Sequence, residues 1–113
     1  MSFTTTIETL NEFVGYHCWP DAPQEVAFLR SPHRHVFIVR CEFPVEASRA
    51  LEFFMQERKV RSFFEFKYYH DEAGYRFEAR SCEEIAREVL EAFPEASACS
   101  VSEDGREAAR VRR

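Results

Sequence analysis

Residues 33–43, HRHVFIVRCEF, alternate in character along their whole length. Successive side chains of a strand point to opposite faces, so His33, His35, Phe37, Val39, Cys41 and Phe43 share one face. Arg34, Val36, Ile38, Arg40 and Glu42 share the other. The first set is the more apolar and faces the core, which carries both histidines to the core-directed side. This one segment fixes a strand, its orientation and the placement of two imidazoles.

Residues 81–93 impose the second strong constraint. Cys82, Ile85, Ala86, Val89, Leu90 and Phe93 recur at i, i+3, i+4, i+7, i+8 and i+11, the apolar stripe of an amphipathic helix. Ser81 and Glu84 form a capping box at its start, and Pro94 stops it. Residues 3–16, rich in Thr, Phe, Ile and Val, predict an earlier strand, followed by a WPDAPQ loop broken by Pro20 and Pro23. Residues 47–59 predict a first helix with Leu51, Phe54 and Met55 at helical spacing. Residues 61–79 are aromatic, with room for one or two short strands around Ala73-Gly74. Residues 98–111 predict a closing hairpin with Asp104-Gly105 in its turn. The order is ββααββ. Strands and helices in blocks argue for an α+β fold with an antiparallel sheet.

Composition narrows the class. A chain of 113 residues is expected to form a single domain over residues 1–113 and to bury roughly two-thirds of its unfolded surface. Twelve Phe against three Gly exceed what one small core comfortably hides, so some aromatic residues are expected at a subunit contact or a ligand. Phe54 and Phe93 are expected under the sheet, and Phe63, Phe64, Phe66 and Phe77 at subunit contacts or a pocket wall. Twenty acidic residues against fifteen basic ones give a net charge of -5, which argues against a nucleic-acid partner. Arg106, Arg110, Arg112 and Arg113 form a short basic tail that reads as solvated. Cys18, Cys41, Cys82 and Cys99 are widely spaced and form no C-x-x-C pair. With no secretory signal pattern and no long apolar run, reduced thiols, a cytoplasmic location and no membrane association are expected.

The constellation that points to chemistry is His17, His33 and His35. Histidines two apart on a strand project to one face about 6–7 Å apart at the backbone. His17 closes the preceding predicted strand, where a neighbour in the sheet presents a third ring. Three neutral imidazoles with an open fourth position are the pattern of catalytic zinc, and packed core histidines are the alternative. Glu103, beside the Asp104-Gly105 turn, either belongs to that turn or accepts hydrogen bonds from the planar amidine-like edge of a ligand. His70 and Asp71 read as an acid/base pair or as loop. Cys18 stands beside His17. There is no glycine-rich phosphate loop, no G-x-S-x-G elbow and no H-E-x-x-H helix.

The stretch HCWPDAPQEVAFLRSPHRHVFIVRCEF resembles the zinc-binding segment of the 6-pyruvoyl-tetrahydropterin synthase and 6-carboxy-tetrahydropterin synthase family. In that family a first histidine closes a strand and an H-G-H motif opens the next; here these are His17 and His33-Arg34-His35. RALEFFMQERK and SCEEIAREVLEAF resemble its two helices, and SVSEDGREAARV its closing hairpin. The resemblance implies the T-fold, a four-stranded antiparallel sheet with two helices on one face, assembled as trimers or hexamers with sites between subunits. It implies Zn2+ on His17, His33 and His35, with Glu103 gripping a pterin-like or purine-like ring. The implied substrate is a pterin precursor of the dihydroneopterin triphosphate class, in pterin or deazapurine biosynthesis, and the implied reaction is that of a lyase. The alternative is a catalytically degenerate T-fold protein that binds or sequesters such a ring.

Four departures bear on catalysis. The family's cysteine position, four residues before H-G-H, is Leu29, and the nearest carboxylate, Glu25, is out of register. The family's Asp-His pair is matched only by His70-Asp71, in reversed order. The middle of the chain is shorter, and the motif glycine is Arg34.

Overall fold

A computed structural model describes residues 2–113. Two thirteen-residue strands, β1 (Thr5–His17) and β2 (His33–Val45), pair antiparallel along their full length, from Thr5 opposite Val45 to His17 opposite His33. Their connection contains a short 3-10 segment, Gln24–Arg30. Helix α1 (Phe53–Lys67) follows, then a small hairpin of β3 (His70–Asp71) and β4 (Gly74–Glu78). Helix α2 (Cys82–Ala92) and the hairpin of β5 (Ala98–Glu103) and β6 (Ala108–Arg112) complete the chain. The six strands form one sheet in the order β3-β4-β1-β2-β5-β6.

The α+β class and T-fold architecture stand, while the strand count rises from four to six and the order becomes ββαββαββ. The added hairpin falls in the aromatic middle of the chain. It docks β4 parallel to β1, with a bulge between Tyr16 and His17, so the sheet is mixed at that edge. Gly74, at φ 134°, makes this docking possible: a Cβ there would lie 2.6 Å from the Val14 carbonyl oxygen.

Both helices cover the same sheet face. Phe37, Val39, Cys41 and Phe43 of β2 are fully buried, as alternation requires, against Val60 and Phe64 of α1 and Ile85, Ala86 and Val89 of α2. The capping box of α2 is present in both directions, Ser81 Oγ accepting from Glu84 N–H and Glu84 accepting from Ser81 N–H, each at 3.1 Å. Helix α1 differs from its expected phase. Glu52 caps it by accepting from the Phe54 and Met55 N–H groups at 3.0 and 3.2 Å, so the helix starts at Phe53 rather than near 47. The inward positions are therefore Gln56, Val60 and Phe64, one residue every turn or so, while Phe53, Phe54 and Met55 face outward.

This phase redistributes the phenylalanines. Phe64 and Phe77 lie in the core rather than at an interface. Phe64 stacks on Phe13 with centroids 4.1 Å apart, and Phe77 meets Phe37 edge-on at 4.8 Å. Phe93 sits 6.3 Å from Phe43 as expected, whereas Phe54 is exposed instead of lying under the sheet. Phe66 is exposed, and Phe63 packs against the core rim. All four arginines of the basic tail are exposed, in keeping with the solvated reading, and two of them also have partners. Arg113 donates to the carbonyls of Leu90, Phe93 and Ala96 at the end of α2, where the helix dipole is negative, and Arg110 pairs with Glu42. Among the described residues no helix is long and apolar enough to cross a membrane.

Candidate metal centre and adjoining cleft

The end of the β1–β2 ladder nearest their connection brings the three histidines together. His17 is the last residue of β1 and pairs with His33, the first of β2; His35 pairs with Gly15. All three project to the core face at its rim. Ring centroids lie 4.6 Å apart for His17–His33, 5.1 Å for His33–His35 and 5.5 Å for His17–His35. Phe37 closes the floor, edge-on to His17 at 5.0 Å and to His35 at 5.7 Å.

Each ring is oriented from outside through Nδ1. His17 Nδ1–H donates to the Arg80 carbonyl at 2.9 Å and His33 Nδ1–H to the Ser31 carbonyl at 2.9 Å. His35 Nδ1–H donates to Asp104 Oδ2 at 2.7 Å. These acceptors place the proton on Nδ1, so a neutral ring presents its lone pair at Nε2. Outer-sphere bonds of this kind accompany metal-bound histidines and raise their basicity.

Asp104 is built for its position. It and Gly105 adopt φ of 57° and 74°, and Arg106 N–H donates to the Glu103 carbonyl at 3.0 Å, closing the tight turn that the Asp-Gly pair predicts. Asp104 N–H donates to the Val36 carbonyl at 2.8 Å, and Oδ1 accepts from Val36 N–H at 2.8 Å. The Val36 bond, then the His35 bond, hold the carboxyl below its ordinary pKa.

Glu103 joins the histidines from β5, with Oε2 2.8 Å from His17 Nε2 and 3.7 Å from His35 Nε2. One donor atom from each of His17, His33, His35 and Glu103 lies within 4.8 Å of the others. His17 Nε2 is buried, and despite its closeness to Glu103 it has no aligned hydrogen-bond partner. Burial is the largest influence on His17 and holds its pKa below 6.5, which favours the neutral ring. A buried lone pair, two further imidazoles and a carboxylate form a donor set that fits a zinc-type cation.

A cleft of about 410 Å³ opens beside the cluster. His17, His33 and Glu103 form one wall, and Trp19 and Leu29 come from the β1–β2 connection. Arg80, the first turn of α2 and Glu107 complete the lining. Trp19 keeps half its surface exposed.

Neither a protein-family model nor a curated protein sequence matches the chain. Solved structures do. The 6-pyruvoyl tetrahydropterin synthase of Caenorhabditis elegans superposes with a TM-score of 0.69 at 9% identity, covering 97% of this chain and 96% of that one. An uncharacterized protein from Wolinella succinogenes superposes with a TM-score of 0.71 at 15% identity, covering 98% and 99%. The chain has the fold of 6-pyruvoyl tetrahydropterin synthase.

Within this T-fold the sequence-predicted residues separate into two groups. His17, His33, His35 and Glu103 come together, and Leu29 and Cys18 line the adjoining cleft. His70 and Asp71 do not join them. His70 pairs with Tyr75, Tyr75 with Gly15 and Gly15 with His35, so three strand spacings, roughly 14 Å, separate the two histidine backbones. The His70 ring stacks on Tyr75 at 4.8 Å, and Asp71 pairs with Arg76 at 3.2 Å. Three contributors escaped the sequence reading. Asp104 had a signal, an acidic residue in the turn that follows Glu103. Arg80 and Ser31 act through backbone carbonyls, which side-chain patterns do not reveal.

Proposed function

We propose that this chain is a zinc-dependent protein of the 6-carboxy-tetrahydropterin synthase type, acting on a pterin precursor of the dihydroneopterin triphosphate class. The observation that carries the reading is the set of three imidazoles, each held through Nδ1, converging with Glu103 on the wall of a cleft in this fold. His17, His33 and His35 would hold the metal. Zinc there supplies a Lewis acid that polarises a substrate oxygen or lowers the pKa of a bound water. The chain's own groups position the ring: Trp19 offers an aromatic face, and Glu103 and Glu107 offer carboxylates to ring N–H groups.

A second reading, a protein that binds or sequesters a pterin-like or purine-like ring without turning it over, is favoured by one observation. Leu29 lines the cleft where the resembling family carries its cysteine, and it can neither donate nor accept a proton. In a trimer or hexamer, a His70-Asp71 pair from a second copy would be a further source of acid and base beside Cys18 and Glu107 of the cleft. Phe53, Phe54 and Met55 give such an assembly an exposed apolar surface.

The test is incubation of the zinc-loaded protein with 7,8-dihydroneopterin triphosphate, with product analysis and binding read in parallel and solution mass measured on the same sample. Turnover supports the enzyme. Binding without product supports the second reading, and a zinc-loaded protein that neither binds nor converts the compound contradicts the enzyme and the pterin-binding form of the second reading.

A further inference from the structure

Glu103 stands closer to the histidines than a carboxylate reserved for a ligand ring would need to be. Its Oε2 lies 2.8 Å from His17 Nε2 and 3.7 Å from His35 Nε2. The first of these contacts is not an aligned hydrogen bond, because His17 Nε2 has no such partner and the ring proton already faces the Arg80 carbonyl. Two electron-rich atoms thus meet, the nitrogen buried and the carboxylate partly exposed, an arrangement that a cation between them resolves.

The backbone of Glu103 is held in place. Glu103 is the last residue of β5 and pairs with Phe37, the floor of the cluster, so its side chain leaves the ladder on the histidine face. Its N–H donates to the Glu107 carbonyl at 3.0 Å, and its carbonyl accepts from Arg106, also at 3.0 Å. The next residue, Asp104, is pinned to Val36 and His35.

We propose that Glu103 is itself a metal ligand, closing the three-histidine site with a carboxylate in the ligand-free protein, so that an incoming ligand must displace it. This rests on the metal-binding reading given above. A three-histidine site with an open position accepts an outside ligand directly, whereas a site closed by a fourth protein donor does not. Since Glu103 also lines the cleft, its displacement leaves a carboxylate facing whatever has entered. One side chain then couples occupancy of the cleft to access to the metal.

The experiment uses the full chain loaded with cobalt(II), whose visible absorption reports ligand number and type, in wild-type, Glu103→Gln and Glu103→Ala forms. Circular dichroism confirms that each is folded. The variants are expected to bind cobalt more weakly by at least on the order of tenfold, the lower bound for disturbing even an outer-sphere partner. Their spectra should shift with azide at concentrations that leave the wild type unchanged. Equal cobalt affinity and equal azide response in all three forms would overturn the ligand role while leaving the three-histidine reading intact. A wild-type protein that takes up no cobalt would overturn that reading, and this proposal with it.

Discussion

His35 Nδ1–H donates to Asp104 Oδ2 at 2.7 Å, joining the second histidine of β2 to the turn between β5 and β6. The same carboxylate accepts from Val36 N–H through Oδ1, so the ring and the backbone beside it are fixed by one residue. Asp104→Asn keeps an oxygen for Val36 and tolerates the positive φ, but removes the charge from His35. Zinc affinity is expected to fall by about 10- to 100-fold with little change in Tm of the metal-free protein. A chelator competition titration reads this directly, and unchanged affinity would show that Asp104 serves the turn alone.

The pH dependence of the metal-free protein follows from His17. Burial holds its folded pKa below the 6.5 of an unfolded chain, more than the Arg80 carbonyl and Glu103 raise it. The unfolded state therefore binds more protons as the solution is acidified. The stability that a neutral His17 contributes is present above pH 6.5 and is lost as pH falls through the lower folded value. Chelator-treated wild type is expected to lose Tm between about pH 7.5 and pH 5, and His17→Gln to lose less over the same range. A wild-type Tm that rises on acidification contradicts the assignment.

The four thiols are expected to differ in reactivity. Burial first, then Glu103 and Glu83, push Cys82 from 9.0 up to about 12. Cys41 and Cys99 face each other across β2 and β5 with sulfurs 3.8 Å apart, both buried, and the contact with Cys41 together with burial raises Cys99 well above its ordinary value. Cys18 is only half-buried. Iodoacetamide at about pH 8 should label the native protein at Cys18 and spare the rest, because the thiolate is the reacting form. Mass mapping that finds Cys82 modified as fast as Cys18 would count against the packing around α2.

Phe64 is the joint between α1 and the sheet. It is fully buried, stacked on Phe13, and within 6.1 Å of Phe77. Phe64→Ala is expected to cost about 3–5 kcal/mol in urea unfolding, by lost transfer energy and the cavity left behind. Phe66→Ala, on the exposed side of the same helix, is expected to change stability within about 0.5 kcal/mol. Similar losses at both positions would mean that the phase of α1 is wrong.

The parts of the molecule that could be read in the sequence are those where one local rule decides. Alternation in β2 placed His33 and His35 on the core face, and the 3.6-residue period with its capping box placed α2. The Asp-Gly pair gave the last turn. Helix α1 was misphased because its start depends on Glu52 acting as a cap, while Leu51, Phe54 and Met55 suggested a stripe that begins earlier. The β3–β4 hairpin was visible only as turn chemistry around Ala73-Gly74, since its strands owe their existence to docking on β1. For the candidate site, the donors were legible by residue type and spacing. Their supports were not, because Arg80 and Ser31 contribute carbonyls and Asp104 reaches across 69 positions of chain to His35.

Metal content tests the central claim most directly. Protein purified after growth with zinc, without an affinity tag, is predicted to hold about one zinc per chain by mass spectrometry of the elements. His33→Ala with His35→Ala should lose it while retaining the folded circular dichroism spectrum. A folded wild type that holds no zinc, and takes up none when zinc is added back, would contradict the account.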